Sequence, residues 1–221
     1  MAQSAQKELM RIYELLLAAF GPQNWWPART RQEVVIGAIL TQNTAWKNVE
    51  RAVSALRRAN CLTLRRIHRT PLDRLAELIR SSGTHRVKAR RLKSLAAWLQ
   101  RRFNGRLEGL FALGLEGARR ELLGVNGIGP ETADAILLYA GKLPTFVVDA
   151  YTRRVLRRHL LLGGQSDYQR AKALFERTMP PDEPIYGEYH ALLVELGKRY
   201  CRKRALCEGC PLESLSHDAG L

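Results

Sequence analysis

The sequence holds no run of apolar residues near the roughly 18 that a membrane-spanning helix needs, so no membrane partner is expected. Its first residues, Met1 to Lys7, are polar and lack the apolar stretch of a secretion signal, which predicts a cytoplasmic location. Strand signals are sparse: Thr145-Phe146-Val147-Val148 is the one short candidate. No solenoid-length repeat and no low-complexity linker divides the 221 residues, a length that suits one domain or two small interleaved ones. Acidic residues are in short supply. The 21 Asp and Glu against 36 Lys and Arg leave a net charge of +15 and a pI near 10.3. That balance favours a polyanionic partner, nucleic acid before an anionic membrane surface. There are only four cysteines, with Cys61 alone and Cys201, Cys207 and Cys210 crowded near the C-terminus. In a cytosolic chain such clustering reads as metal binding before disulfide formation.

What is present is helix. Apolar residues make up 46% of the chain, enough for a sizeable core. Leu9, Ile12, Tyr13, Leu16, Leu17 and Phe20 recur at helical spacing over residues 8 to 20, and Gly21-Pro22 ends that run. Val34 to Leu40 reads as a buried helix. Thr70-Pro71-Leu72-Asp73 predicts a helix start, with Thr70 as cap and Pro71 at the first helical position, running to Gly83. A further helix covers roughly Val87 to Phe103, with Leu92, Leu95, Ala96 and Leu99 inward and Arg90, Arg91, Arg101 and Arg102 on its other face. More helices are expected near 115–123, 130–139, 150–161, 168–178 and 185–200. The fold class is therefore all-α.

The stretch Leu122-Leu123-Gly124-Val125-Asn126-Gly127-Ile128-Gly129-Pro130-Glu131-Thr132-Ala133 is the most informative. A helix ends, a glycine-rich turn follows, and Pro130 opens a second helix. Gly127 and Gly129 permit positive φ and close approach of a ligand, and Ile128 can anchor the turn in the core. Backbone N–H groups at a helix start make a phosphate site without base preference. An ordinary helix corner with structural glycines would also use such residues. Taken with Val147-Val148-Asp149 and Arg153-Arg154-Val155, the pattern resembles the helix-hairpin-helix-Gly/Pro-Asp DNA glycosylases, the superfamily of endonuclease III and of adenine glycosylase. The resemblance runs from about Gln32 to Cys210. It implies a two-lobed fold with a DNA-binding cleft. One lobe would span 30–142, with the hairpin motif at about 115–139. The other would join 1–29 to 143–221 and carry any iron–sulfur loop. It also implies a monomer that acts on double-stranded DNA containing a damaged base.

Locally, Asp149 is a good helix N-cap; the resemblance makes it the essential carboxylate as well. An ionised carboxylate can stabilise positive charge on the sugar as an N-glycosidic bond breaks, or help activate water. Bifunctional relatives have a lysine after the hairpin that attacks the sugar as an amine. The equivalent residue here is Glu131, which cannot form a Schiff base and is at home in a first helical turn. A monofunctional glycosylase is expected, with AP lyase activity absent. Lys142 and Lys198 are the lysines that could act as a displaced amine, and nothing in the sequence favours them. Thr41-Gln42-Asn43-Thr44 follows a buried helix, and the resemblance makes Gln42 the residue that fills the stack when a base is flipped out; a polar loop is the ordinary alternative. Trp25-Trp26-Pro27 and Trp46 resemble the pocket of the 3-methyladenine subgroup. Tryptophan faces attract cations such as an alkylated purine, although most tryptophans are simply core. Gly127, Gly129, Thr132 and Arg153 are further candidate DNA contacts.

Cys201, Cys207, Cys210 and Ser216 give C-x5-C-x2-C-x5-S. The endonuclease III loop usually reads C-x6-C-x2-C-x5-C around a [4Fe–4S] cluster. The first gap is one residue short and the fourth position is Ser216, with His217 or Asp218 as substitutes. Three readings stay open: a cluster with a non-cysteine ligand, a labile cluster, or a lost cluster with three relic cysteines. Arg202, Lys203 and Arg204 would face DNA phosphate, unless they are only a solvated loop. The expected activity is hydrolysis of the N-glycosidic bond of an alkylated purine such as 3-methyladenine. The competing readings are an endonuclease III-type oxidised-pyrimidine glycosylase with lyase activity, and a DNA-binding module without chemistry.

Overall fold

The computed structural model describes residues 2–162 and 167–220. The chain divides into two compact units, Trp26–Leu143 and Met1–Trp25 with Pro144–Leu221. In chain order the first helices are α1 (Ala2–Phe20), α2 (Arg31–Leu40), α3 (Trp46–Arg58), α4 (Leu64–Arg69), α5 (Leu72–Leu78) and α6 (His85–Phe103). They are followed by α7 (Leu107–Phe111), α8 (Gly114–Leu123), α9 (Pro130–Ala135), α10 (Ala150–Arg158), α11 (Tyr168–Thr178) and α12 (Glu183–Arg199). Among the described residues there is no strand, and no helix is long and apolar enough to cross a membrane.

In the Trp26–Leu143 unit, α2 is the central helix. Every residue from Glu33 to Leu40 is buried, as expected of a helix apolar nearly all round. Thr30 caps it, its hydroxyl accepting from the Glu33 amide at 3.2 Å. Helix α6 enters the core through Leu92, Leu95, Ala96 and Leu99. Arg90, Arg101 and Arg102 face outward from it, while Arg91 is half-buried. The expected cap of α5 is different in detail. Pro71 itself takes the cap position, and the Thr70 hydroxyl instead donates to the Arg66 carbonyl at 2.8 Å, closing α4. After α5 a short 3-10 turn, Arg80–Ser82, leads to Gly83, and α9 passes directly into a π-helical turn, Ile136–Ala140.

In the other unit, Leu9, Ile12 and Leu16 of α1 are buried, and the Tyr189 hydroxyl of α12 donates to the Leu9 carbonyl at 2.7 Å. The segment read as a strand, Thr145 to Val148, is buried but joins no ladder. Its backbone finds another partner: the Phe146 amide and the Thr145 hydroxyl both donate to Glu176 Oε1, at 2.9 and 3.1 Å. Phe146 then stacks flat on Phe175, ring centroids 3.6 Å apart. A side-chain acceptor from α11 thus replaces a neighbouring strand, so the β-branched composition reports burial rather than pairing. Helices α10 and α12 approach closely because residue 197 is glycine: a Cβ there would meet Tyr151 at 2.2 Å.

Candidate active site

The hairpin is built as its sequence requires, with one correction. Gly127 has φ +87, a left-handed conformation that suits glycine. A Cβ there would also lie 2.3 Å from Arg91 Cγ, so the turn passes over an arginine of α6. Gly129, expected to share the positive φ, is extended (φ −94, ψ 178), and a Cβ on it would meet nothing within 4 Å. Its absent side chain leaves the start of α9 without a side-chain cap. Pro130 takes the first helical position and exposed Glu131 the first turn. Ile128 is 5% exposed and pins the turn to the core.

Gln42 lies against this hairpin. Its amide nitrogen donates to the Gly127 carbonyl at 3.1 Å and to the Thr132 hydroxyl at 2.9 Å. Arg91 donates to its amide oxygen. Thr132 is therefore buried in this contact. Beneath the same loop lies Lys88, a fully buried lysine. Its ammonium donates to the Leu40 carbonyl at 2.7 Å, the Thr44 hydroxyl at 2.6 Å and the Ser82 carbonyl at 2.5 Å. Burial, with the Arg91 charge nearby, lowers its pKa to about 8. Sequence reading placed Arg91 on the outer face of its helix and missed Lys88 entirely. Their partners are distant in sequence, and a lysine in a basic helix gives no sign that it is buried.

Trp26 and Trp46 meet edge to face at 5.5 Å, and Trp26 meets Tyr139 at 5.4 Å. With Pro27, Glu33, Glu50 and Arg57, the two tryptophans line a cavity of about 220 Å³. Glu33 is buried and paired with Arg57. Glu50 is exposed and accepts from the Trp46 indole N–H at 3.0 Å. Trp25, half-buried, belongs to the other unit.

That unit also holds Asp149. Its Oδ1 caps α10, accepting from the Thr152 amide at 2.8 Å and from the Thr152 hydroxyl at 3.0 Å. Its Oδ2 lies 3.8 Å from Nε2 of His190, a buried residue of α12 that sequence reading did not single out. The signal was available: a histidine among Tyr186, Tyr189 and Leu193, on an apolar helix face. Burial lowers the His190 pKa, with Asp149 opposing the shift. The imidazole is thus neutral at neutral pH. Arg153, one turn into α10, is half-buried.

Cys201, Cys207 and Cys210 line one small cavity of about 20 Å³, room for about one water. Crowding by burial and by the neighbouring Cys201 and Cys207 raises the Cys210 thiol pKa. The loop is clasped by arginines of α10. Arg158, 4% exposed, donates to the Arg202 carbonyl at 2.7 Å, the Lys203 carbonyl at 3.0 Å and Cys201 Sγ at 3.3 Å. Arg154 donates to the Cys201 carbonyl at 2.6 Å. The carbonyls of residues 202 and 203 turn inward, and the side chains of Arg202, Lys203 and Arg204 are exposed. Ser216 is also exposed, its carbonyl against His159 at 3.1 Å, while His217 reaches the cavity wall. Among the described residues no group of three or more His, Cys, Asp or Glu is placed to hold a metal ion. With Ser216 exposed and His217 on the cavity wall, the described residues gather no four-ligand set for a four-iron cluster.

The profile of the HhH-GPD superfamily of base excision DNA repair proteins matches residues 36–181. This chain belongs to that superfamily, and at that level of description it is a DNA glycosylase. An inferred DNA repair glycosylase of Methanocaldococcus jannaschii is 46% identical over 215 residues, covering 96% of this chain and 97% of that one. Endonuclease III of Thermotoga maritima is 28% identical, covering 82% and 80%. Among solved structures, 3-methyladenine DNA glycosylase of H. pylori bound to 1,N6-ethenoadenine has a TM-score of 0.74 at 30% identity, covering 88% of this chain and 97% of that one. A non-covalent endonuclease III–DNA complex has a TM-score of 0.82 at 22% identity, covering 97% and 96%, a likeness of fold.

Proposed function

We propose that this glycosylase hydrolyses the N-glycosidic bond of an alkylated purine, such as 3-methyladenine, flipped out of double-stranded DNA, and leaves the strand intact. The observation that carries the reading is the aromatic corner of Trp26, Trp46 and Tyr139 beside Glu33 and Glu50. Glu33 is balanced by Arg57, which leaves the ring faces and the exposed Glu50 carboxylate to favour a cationic base over a neutral one. The 30%-identical H. pylori structure, a 3-methyladenine glycosylase holding a modified adenine, agrees with that choice.

The chemistry follows from Asp149. Its Oδ1 is tethered by Thr152, so the carboxylate is pre-organised rather than recruited. As the C1′–N bond breaks, its electron pair neutralises the cationic base, and positive charge grows on the sugar near the carboxylate. Water then bonds to C1′ and gives up a proton, for which the Asp149–His190 pair is a fitting acceptor. Glu131 in the first turn of α9 offers no amine to compete with water. The hairpin, with α9 uncapped behind Gly129, holds a backbone phosphate without reading sequence. In this reading the cysteine loop is a metal-independent cap that Arg158 organises, with Arg202, Lys203 and Arg204 facing phosphate.

The test is base release from alkylated duplex DNA, analysed separately for free bases and for strand breaks. Free 3-methyladenine with unbroken strands is expected. Oxidised pyrimidines released in its place would overturn the substrate assignment.

A further inference from the structure

We infer that Lys88 and Arg91, one turn apart on α6, are positioning residues that pre-set the Gln42 loop against the hairpin, so that the chain meets a flipped site with its stack-filling residue already placed. The inference rests on the proposed role of Gln42 and assigns two residues that serve it.

The two act on different parts of one loop. Lys88 ties the loop's two ends to a neighbouring turn: the Leu40 carbonyl before the loop, the Thr44 hydroxyl at its end and the Ser82 carbonyl beside it. An ammonium has three hydrogens to donate, and each finds an acceptor here. Burying it without them would be costly. Thr44 in turn donates to the Ser82 carbonyl at 2.6 Å, closing the network. Between these fixed points Asn43 is held at φ +51. Arg91 holds the side chain, donating to the Gln42 amide oxygen while the amide nitrogen bonds Gly127 and Thr132. Space for Arg91 exists only because residue 127 has no Cβ. The loop, α6 and the hairpin thus share a single polar network. A residue that must enter a base stack gains from being ordered before DNA arrives, because the ordering is not charged against binding.

The experiment compares the affinity of the full chain for two duplexes, one carrying a tetrahydrofuran abasic analogue and one undamaged, by fluorescence anisotropy. Lys88→Met and Arg91→Met are each expected to lose between about tenfold and a hundredfold of the preference for the abasic duplex, the effect of a charged hydrogen bond. Their affinity for undamaged DNA should stay within about twofold, since phosphate contacts set it. In a Gln42→Ala background either substitution should remove less than about twofold more, because both act through Gln42. If Lys88→Met does not fold, Thr44→Val removes one of its acceptors without a charge change and should weaken the same preference. Equal losses on both duplexes, or full additivity with Gln42→Ala, would overturn the positioning role alone. A wild-type chain without preference for the abasic duplex would overturn the role of Gln42 and this inference with it.

Discussion

Around the hairpin, short sequence signals are completed by residues far along the chain: Gln42 reaches Gly127 and Thr132, and Arg91 runs beneath Gly127. In the cysteine loop the spaced residues gather only in part. Three sulfurs share a wall, the fourth position turns outward, and Arg158 takes over the loop's carbonyls. The contrast shows how a motif is used. Where every element has a partner, the local pattern survives intact. Around the cysteines it is arginine side chains that satisfy the backbone carbonyls.

The largest expected effect lies outside both regions. Asp149→Asn should slow single-turnover base release by about a hundredfold to a thousandfold. Asparagine caps a helix about as well as aspartate, so the melting temperature should barely move. A large drop in stability with little loss of rate would make Asp149 a cap and nothing more.

Next comes the loop. Arg158→Met leaves the half-buried carbonyls of Arg202 and Lys203 without their donor and should cost about 1–3 kcal/mol in a denaturant melt. The wild-type melt should be unchanged by a strong chelator, and iron and acid-labile sulfide should be absent from the purified chain. A chelator-sensitive melt would return the loop to the metal-binding class.

On the hairpin side, Gly127→Ala forces a Cβ into a left-handed position and against Arg91. It should cost about 1–3 kcal/mol and weaken DNA binding as well. Gly129→Ala is its control: the backbone is extended and the space is open, so stability should change little.

The remaining effects follow pH. Lys88 titrates near 8 in the folded chain against an ordinary 10.5, so the unfolded chain binds more protons between those values. Stability from this group therefore rises as pH climbs from about 8 towards 10.5. Neutral Lys88 has one hydrogen fewer for its three acceptors, so preference for an abasic site should fall over the same range. His190, also lowered, works at the other end: stability should fall as pH drops below its ordinary 6.5, because the unfolded chain's imidazole gains a proton that the buried one resists. Lys88→Met should flatten the alkaline limb and leave the acid one.

Much of this was legible in the sequence where the signal was local. The hairpin glycines, Pro130 and the Asp149 cap each involve neighbours within a few residues, and the helix periodicity marked the core of α6 correctly. What sequence could not carry was pairing over distance. Gln42 gave no sign of Arg91 as its partner, and Thr145 to Val148 looked like a strand because Glu176 was not visible as its acceptor. Trp25 and Trp26, adjacent in sequence, fall in different units. The spacing C-x5-C-x2-C did not reveal that an arginine would hold the loop.

The central claim is that water, not an enzyme amine, attacks the sugar. The most direct measurement is borohydride trapping of the enzyme on alkylated duplex DNA while base release is followed in parallel. Steady release of free base with no covalent protein–DNA product is expected. A trapped product formed in step with base release would contradict it, and would point to a lysine such as Lys142 or Lys198.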